Sequence, residues 1–265
     1  MWHTKGKGHM TQPPFIVFTD LDGTLLDHHD YSWTAAQPAL DHLAERGVPV
    51  VLASSKTAAE IAPLRAAMGQ TASPAIGENG AGIIPDTSPF RSPGAHAARL
   101  RTTLDSLPAP LRKCFTGFGD MTDADVAQIT GLAPDSAPLA RRRAFSEPGL
   151  FDGDEAARKA FIAALTDLGV TARQGGRFLT LSFGGTKADR MEEIAALYGH
   201  PRTVALGDAP NDVEMLETAD RGFIIANPSG TPLPKLAKED GMTITRSKNP
   251  GPSGWNESIL ALTFP

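Results

Sequence analysis

The chain has 265 residues, 41% hydrophobic and 21% charged, a composition that suits one large globular domain or two modest ones. With 25 Lys plus Arg against 30 Asp plus Glu the net charge is −5, which gives no electrostatic reason to expect nucleic acid or an anionic membrane surface as a partner. No apolar run nears the roughly 18 residues that span a bilayer, and one cysteine, Cys114, excludes an internal disulfide and fits a reducing cytoplasm.

Residues 1–10, MWHTKGKGHM, lack the apolar core of a secretory signal and read as a tag-like, disordered leader, with Met10 as the natural start. Phe15 to Thr19 is a continuous apolar run, the pattern of a strand buried on both faces. From Trp33, apolar residues recur at Ala36, Leu40 and Leu43, one face of a helix that Gly47 ends. Val48 to Ala53 reads as a second buried strand. Thr57 and Glu60 form a capping box that opens a helix to Met68. Strand, helix, strand, helix with wholly apolar strands predicts a parallel sheet covered on both faces.

The pattern returns late in the chain: helix from Lys187 to Tyr198, strand from Thr203 to Leu206, helix from Asp212 to Ala219, strand from Gly222 to Ala226. The middle differs. It has proline-rich joints, alternating strand candidates at Lys113–Phe118 and Arg177–Ser182, and a capping box of Thr122 and Asp125. The expected organisation is an α/β, Rossmann-like core of 11–85 plus 186–265, interrupted by an inserted α+β domain at 86–185.

The chemistry gathers at predicted strand ends, where open α/β sheets bind ligands. Asp20 and Asp22 follow the first strand, two residues apart, so alternation can aim both at one point. Two acids so close need a cation or unequal protonation, which suggests a metal site or a nucleophile beside a general acid. Gly23 supplies a sharp turn. Asp208, Asn211 and Asp212 follow a later strand and offer the hard oxygens that Mg²⁺ prefers. Ser54, Ser55 and Lys56 lie where a helix begins, a seat for an anion. Lys187 is the best candidate for a cation that holds a phosphate. Any one of these features alone is common in turns and caps; four in chain order, each at a strand end or helix start, are not.

FTDLDGTLL (18–26), VLASSK (51–56), Lys187 and GDAPND (207–212) together resemble the four ordered motifs of the haloacid dehalogenase superfamily. Lys187 lies 187 − 54 = 133 residues beyond Ser54, a gap that resembles the Cof-like branch with a large cap. Within that branch the chain is most like the mannosyl-3-phosphoglycerate phosphatases. That likeness rests on LDHHDYSW (26–33), SSKTAAEIAPLR (54–65), GENGAG (77–82), GGRFLTL (175–181) and ITRSKNPGPSGWNE (244–257).

The resemblance implies a Mg²⁺-dependent phosphatase that frees mannosylglycerate, a compatible solute, through an aspartyl-phosphate. It implies Asp20 as nucleophile and Asp22 as general acid and base. Mg²⁺ would be held by Asp20, the Asp22 carbonyl and Asp208, supported by Asn211 and Asp212. Ser54 and Lys187 would grip phosphoryl oxygens. Substrate contacts are expected from Ser55, Lys56, Glu78, Asn79, Arg142, Ser146 and Arg177. The partner is a small phosphorylated sugar, with neither nucleic acid nor membrane, and the protein a monomer or homodimer. The alternatives are a glucosyl-3-phosphoglycerate or broader sugar-phosphate phosphatase, a phosphosugar mutase, and a catalytically silent scaffold.

Overall fold

A computed structural model describes residues 12–86 and 94–264; the tag-like leader lies outside the described residues. The strands are β1 (Phe15–Thr19), β2 (Val50–Leu52), β3 (Ala75–Gly77), β4 (Gly82–Ile84), β5 (Phe115–Gly117), β6 (Ser146–Phe151), β7 (Thr171–Gly175), β8 (Phe178–Ser182), β9 (Arg202–Gly207), β10 (Arg221–Ala226) and β11 (Ile244–Pro250). The α-helices are α1 (Gln37–Glu45), α2 (Ala58–Ala67), α3 (Ala95–Asp105), α4 (Ala109–Arg112), α5 (Asp123–Thr130), α6 (Ala137–Arg141), α7 (Glu155–Asp167), α8 (Lys187–Leu197), α9 (Val213–Thr218) and α10 (Gly251–Leu260). Among the described residues no helix is long and apolar enough to cross a membrane.

Two compact units divide the chain. The first takes the described residues up to Val51 and from Met191 onward; the second is Leu52–Arg190. The insertion expected at 86–185 falls inside the second unit, which also carries 52–85 and the first turn of α8.

The first unit is built on a sheet of order β11-β10-β9-β1-β2. The pairs β1–β9, β9–β10 and β10–β11 are parallel. Every residue of β1 is buried, which is why it reads as an unbroken apolar run. The expected helix at Trp33 begins as a 3₁₀ turn, Thr34–Ala36, and becomes α-helical at Gln37, where Pro38 suits the first turn.

Neither β11 nor α10 stands out in the sequence. In β11 only Ile244 is buried; the residues after it are polar or charged up to Pro250, a composition that suits a sheet edge. The start of α10 holds two glycines and a proline, which hide a helix from propensity. It forms because Trp255 is wholly buried and its indole Nε1 donates to Thr19 Oγ1 over 2.9 Å. Thr19 Oγ1 donates in turn to the Asp20 carbonyl over 2.8 Å. Asn256 Oδ1 accepts from the Ala39 N–H, so α10 is tied to both β1 and α1.

The second unit holds the β3–β4 hairpin and an antiparallel sheet of order β5-β6-β8-β7. Leu100 and Leu104 of α3 and Phe161 and Leu165 of α7 bury one face of that sheet over Phe115, Leu179 and Leu181. Phe118, Val126 and Ala137 form a smaller cluster with α5 and α6. This is the α+β body expected between the core halves. Both capping boxes are present: Glu60 N–H donates to Thr57 Oγ1 at 3.2 Å and Asp125 N–H to Thr122 Oγ1 at 3.2 Å.

Trp255→Ala is expected to destabilise the protein by about 3–5 kcal/mol, through lost transfer energy plus the cavity left behind. Urea unfolding checks this; a loss below about 1 kcal/mol would show that α10 does not seal this side of the sheet.

Candidate active site

β1 and β9 are adjacent, with Thr19 opposite Leu206, so the residues that follow them emerge side by side. The Asp20 N–H donates to the Leu206 carbonyl at 2.9 Å, which fixes Asp20 beside the end of β9. Asp208 is the first residue past β9. Asp20, Asp208 and Asp212 are all buried, and each offers a carboxylate oxygen within 4.8 Å of the others. At an effective dielectric of about 20, two unit charges that far apart repel by about 3.5 kcal/mol. Three buried carboxylates so placed require a compensating cation or a proton. The donor set is all hard oxygen, which fits Mg²⁺ and not a metal that prefers sulfur or imidazole.

Loop geometry holds each acid. Asp212 ends a 3₁₀ turn, Pro210–Asp212, and one of its oxygens accepts the N–H groups of Asp208 (3.1 Å) and Ala209 (3.0 Å). A Cβ at Gly207 would collide with the Asp212 side chain, so only glycine admits this return. Asp208 Oδ1 accepts from Thr24 Oγ1 at 2.5 Å, and Oδ2 from Asn227 Nδ2 at 2.7 Å. Asp22 lies in a tight turn in which the Leu26 N–H reaches the Leu21 carbonyl at 2.8 Å and Gly23 takes φ +81°. The chain is therefore not extended past Asp20, and the Asp22 carboxylate is outside the three-acid cluster. Asp212, expected as support, is inside it; Asn211 is exposed.

The second unit gathers the other motif residues. Ser54 is buried, its N–H donating to the Ile76 carbonyl (2.9 Å) and its carbonyl accepting from Asn79 (3.0 Å). Ser55 is exposed and Lys56 half-buried. Lys187 is 1% exposed at the start of α8, where Thr186 and Asp189 cap one another. Gly80 packs so closely on the Thr186–Lys187 backbone that a Cβ there would overlap it. Arg190 Nε donates to the Gly80 carbonyl at 3.0 Å. Ser54, the Glu78–Gly80 turn and Lys187 thus form one connected set.

A family model for haloacid dehalogenase-like hydrolases matches residues 17–98 and 150–242. The chain belongs to the haloacid dehalogenase-like hydrolases. Solved structures of similar fold include sucrose-phosphatase from Synechocystis, at 14% identity over 93% of this chain and 97% of that one, TM-score 0.60. A Bacteroides thetaiotaomicron protein studied among the phosphatases of this superfamily aligns at 20% identity over 92% and 94%, TM-score 0.61. A haloacid dehalogenase-like hydrolase from B. subtilis aligns at 16% identity over 94% and 99%, TM-score 0.60.

In this haloacid dehalogenase-like hydrolase the residues expected to contact substrate separate into two groups. Arg142 and Arg177 are exposed; Arg177 lies over the Phe178 ring with its guanidinium carbon 5.6 Å from the centroid. Glu78 and Ser146 are buried and bonded to each other. The Glu78 carboxylate accepts the N–H groups of Ala144 (2.7 Å), Phe145 (3.1 Å) and Ser146 (2.8 Å), and the Ser146 hydroxyl (2.7 Å). Arg143 Nε stands 3.4 Å from it. Glu78 and Asn79 have φ of +54° and +59°, a costly conformation for residues with a Cβ, here held by these bonds.

In the sequence Arg143 is not distinguished from Arg141 and Arg142 in their run, Thr24 reads only as part of a turn, and Asn227 carries no expected role. Arg143 Nη1 donates to the Ser55 carbonyl at 3.2 Å and Nη2 to Ser146 Oγ at 2.9 Å. Nothing in a run of three arginines says which one faces inward. Asn227 could have been found, because it is the first residue after a strand. Asp120 pairs with Arg101 and Arg112, Asp123 with Arg141, and Asp125 closes its capping box, so all three are engaged within the second unit. Burial pushes the Glu147 carboxyl above the usual range, against the pull of the Gly119 N–H and of Arg101.

Glu78→Gln replaces an acceptor oxygen by a donor among N–H groups and leaves Arg143 without its carboxylate. The expected cost is about 3–5 kcal/mol, with faster tryptic cleavage after Arg141 to Arg143. Cleavage at the wild-type rate would show that Glu78 does not hold that segment.

Proposed function

We propose that this hydrolase is a Mg²⁺-dependent phosphatase of small phosphorylated sugars, and that its substrate is a glycosyl-3-phosphoglycerate, the mannosyl ester foremost. The observation that carries the reading is the buried Asp20–Asp208–Asp212 cluster at the ends of neighbouring parallel strands, with Asp22 two residues beyond the first acid. The sugar phosphate class draws support from the sucrose-phosphatase neighbour, crystallised with sucrose and phosphate. The glycerate ester draws support from the likeness to the mannosyl-3-phosphoglycerate phosphatases at 26–33 and 244–257.

Asp20 is the nucleophile. Its carboxylate oxygen bonds to phosphorus as the ester P–O bond breaks, and Asp22 gives its proton to the leaving sugar or glycerate oxygen. Asp22 then takes a proton from the water that attacks the phosphoryl group, which frees Asp20 and inorganic phosphate. Mg²⁺, held by Asp20, Asp208 and the Asp22 carbonyl, would neutralise carboxylate and phosphoryl charge. Lys187 and the Ser54 hydroxyl donate to phosphoryl oxygens, where charge spreads in the transition state. Asn211 and Asp212 support the metal end. Arg143, bonded to Ser55 and Ser146 and paired with Glu78, holds the segment beside the proposed substrate contacts. Ser55, Lys56, Asn79, Arg142 and Arg177 remain proposed substrate contacts.

The test is phosphate release from mannosyl-3-phosphoglycerate, glucosyl-3-phosphoglycerate, mannose 6-phosphate, 3-phosphoglycerate and an aryl phosphate. Release should stop with a chelator and return with Mg²⁺; Asp20→Asn should reach background, and Lys187→Ala should lose about 100-fold or more. A lead of about 100-fold in kcat/KM for the glycosyl-phosphoglycerates, about 2.7 kcal/mol, supports the narrow substrate. Equal slow turnover of all esters removes that substrate and keeps the chemistry. Sustained release without any divalent ion removes the mechanism.

A further inference from the structure

Asp208 occupies the middle of three adjacent strand ends. β9 leads into it; β1 lies on one side and β10 on the other. Each neighbour sends it one donor. From the turn after β1, Thr24 Oγ1 donates to Oδ1 at 2.5 Å; from the end of β10, Asn227 Nδ2 donates to Oδ2 at 2.7 Å. Thr24 is wholly buried.

The amide orientation of Asn227 follows from its own bonds. Its Oδ1 accepts the N–H groups of Ser229 (3.0 Å) and Gly230 (3.1 Å), so the NH₂ end must face Asp208. The register of β10 on β11 shifts between Ile224 and Ala226, which re-aims the chain just before Asn227. Ala226 is held there by its N–H bond to Ser247 Oγ at 2.9 Å. Gly23 gives way to both partners: a Cβ at that position would stand 3.0 Å from Asp208 Oδ2 and 2.5 Å from Asn227 Nδ2. The DGT turn is thus shaped by the Asn227–Asp208 bond as well as by its own dihedrals.

We infer that Asn227 and Thr24 are positioning residues that hold the Asp208 carboxylate in one rotation, ready for a divalent cation. The inference rests on the proposed metal site and adds two residues to it. A carboxylate oxygen that already accepts a donor is fixed in direction, so the cation meets an ordered ligand instead of ordering it on arrival.

The test is Mn²⁺ binding to the metal-free full-length protein, followed by electron paramagnetic resonance or calorimetry. Thr24→Val keeps the shape and removes the donor; Thr24→Ser keeps the donor. Asn227→Ser retains a hydroxyl acceptor for the Ser229 and Gly230 N–H groups but is too short to reach Asp208. The dissociation constant is expected to rise about 10-fold or more in Thr24→Val and Asn227→Ser, and to stay near wild type in Thr24→Ser. The Mg²⁺ concentration for half-activation should rise with it, while the substrate KM does not follow. Wild-type Mn²⁺ affinity in either folded variant, Thr24→Val or Asn227→Ser, overturns the inference and leaves the metal site standing. No Mn²⁺ binding by the wild type overturns both.

Discussion

The first unit is organised around a repulsion. Asp20, Asp208 and Asp212 bring three carboxylate oxygens within 4.8 Å of one another in a buried place. A hydrophobic core does not tolerate this unless the surroundings answer it. Much of the local structure is such an answer. Backbone N–H groups of Asp208 and Ala209 close on Asp212, and Thr24 and Asn227 close on Asp208. Glycines at 23 and 207 leave the space that these contacts occupy. The sheet supplies rigidity, since β1 and β9 are paired over five residues and pinned to α10 through Trp255 and Thr19.

The second unit meets a different constraint. Glu78 is a buried carboxylate in a left-handed conformation, and four hydrogen bonds with the Arg143 pair compensate both costs. The turn that carries it also abuts the start of α8, where Lys187 is buried. A polar group that reads as a substrate contact in sequence is here the brace of its own unit.

How much was legible followed from how local the cause was. β1 was readable because a strand buried on both faces must be apolar throughout. The caps at Thr57 and Thr122 were readable because a capping box spans four residues. β11 and α10 were not, because one is a polar edge and the other is stabilised by Trp255 reaching Thr19, 236 residues away. The acids at strand ends were legible from position alone, and Asn227 was open to the same rule, but the pairing of Thr24 with Asp208 was not legible. Thr24 lies 184 residues from Asp208, and only the fold brings them together. Arg143 differs from Arg142 in direction, which no sequence pattern specified.

The proposed chemistry requires the three-acid cluster to be a cation site, and a crystal soaked in Mn²⁺ and measured for anomalous scattering tests that most directly. The predicted result is one strong peak among Asp20, Asp208 and Asp212. A crystal with Mn²⁺ bound elsewhere and no peak at these carboxylates would contradict the account.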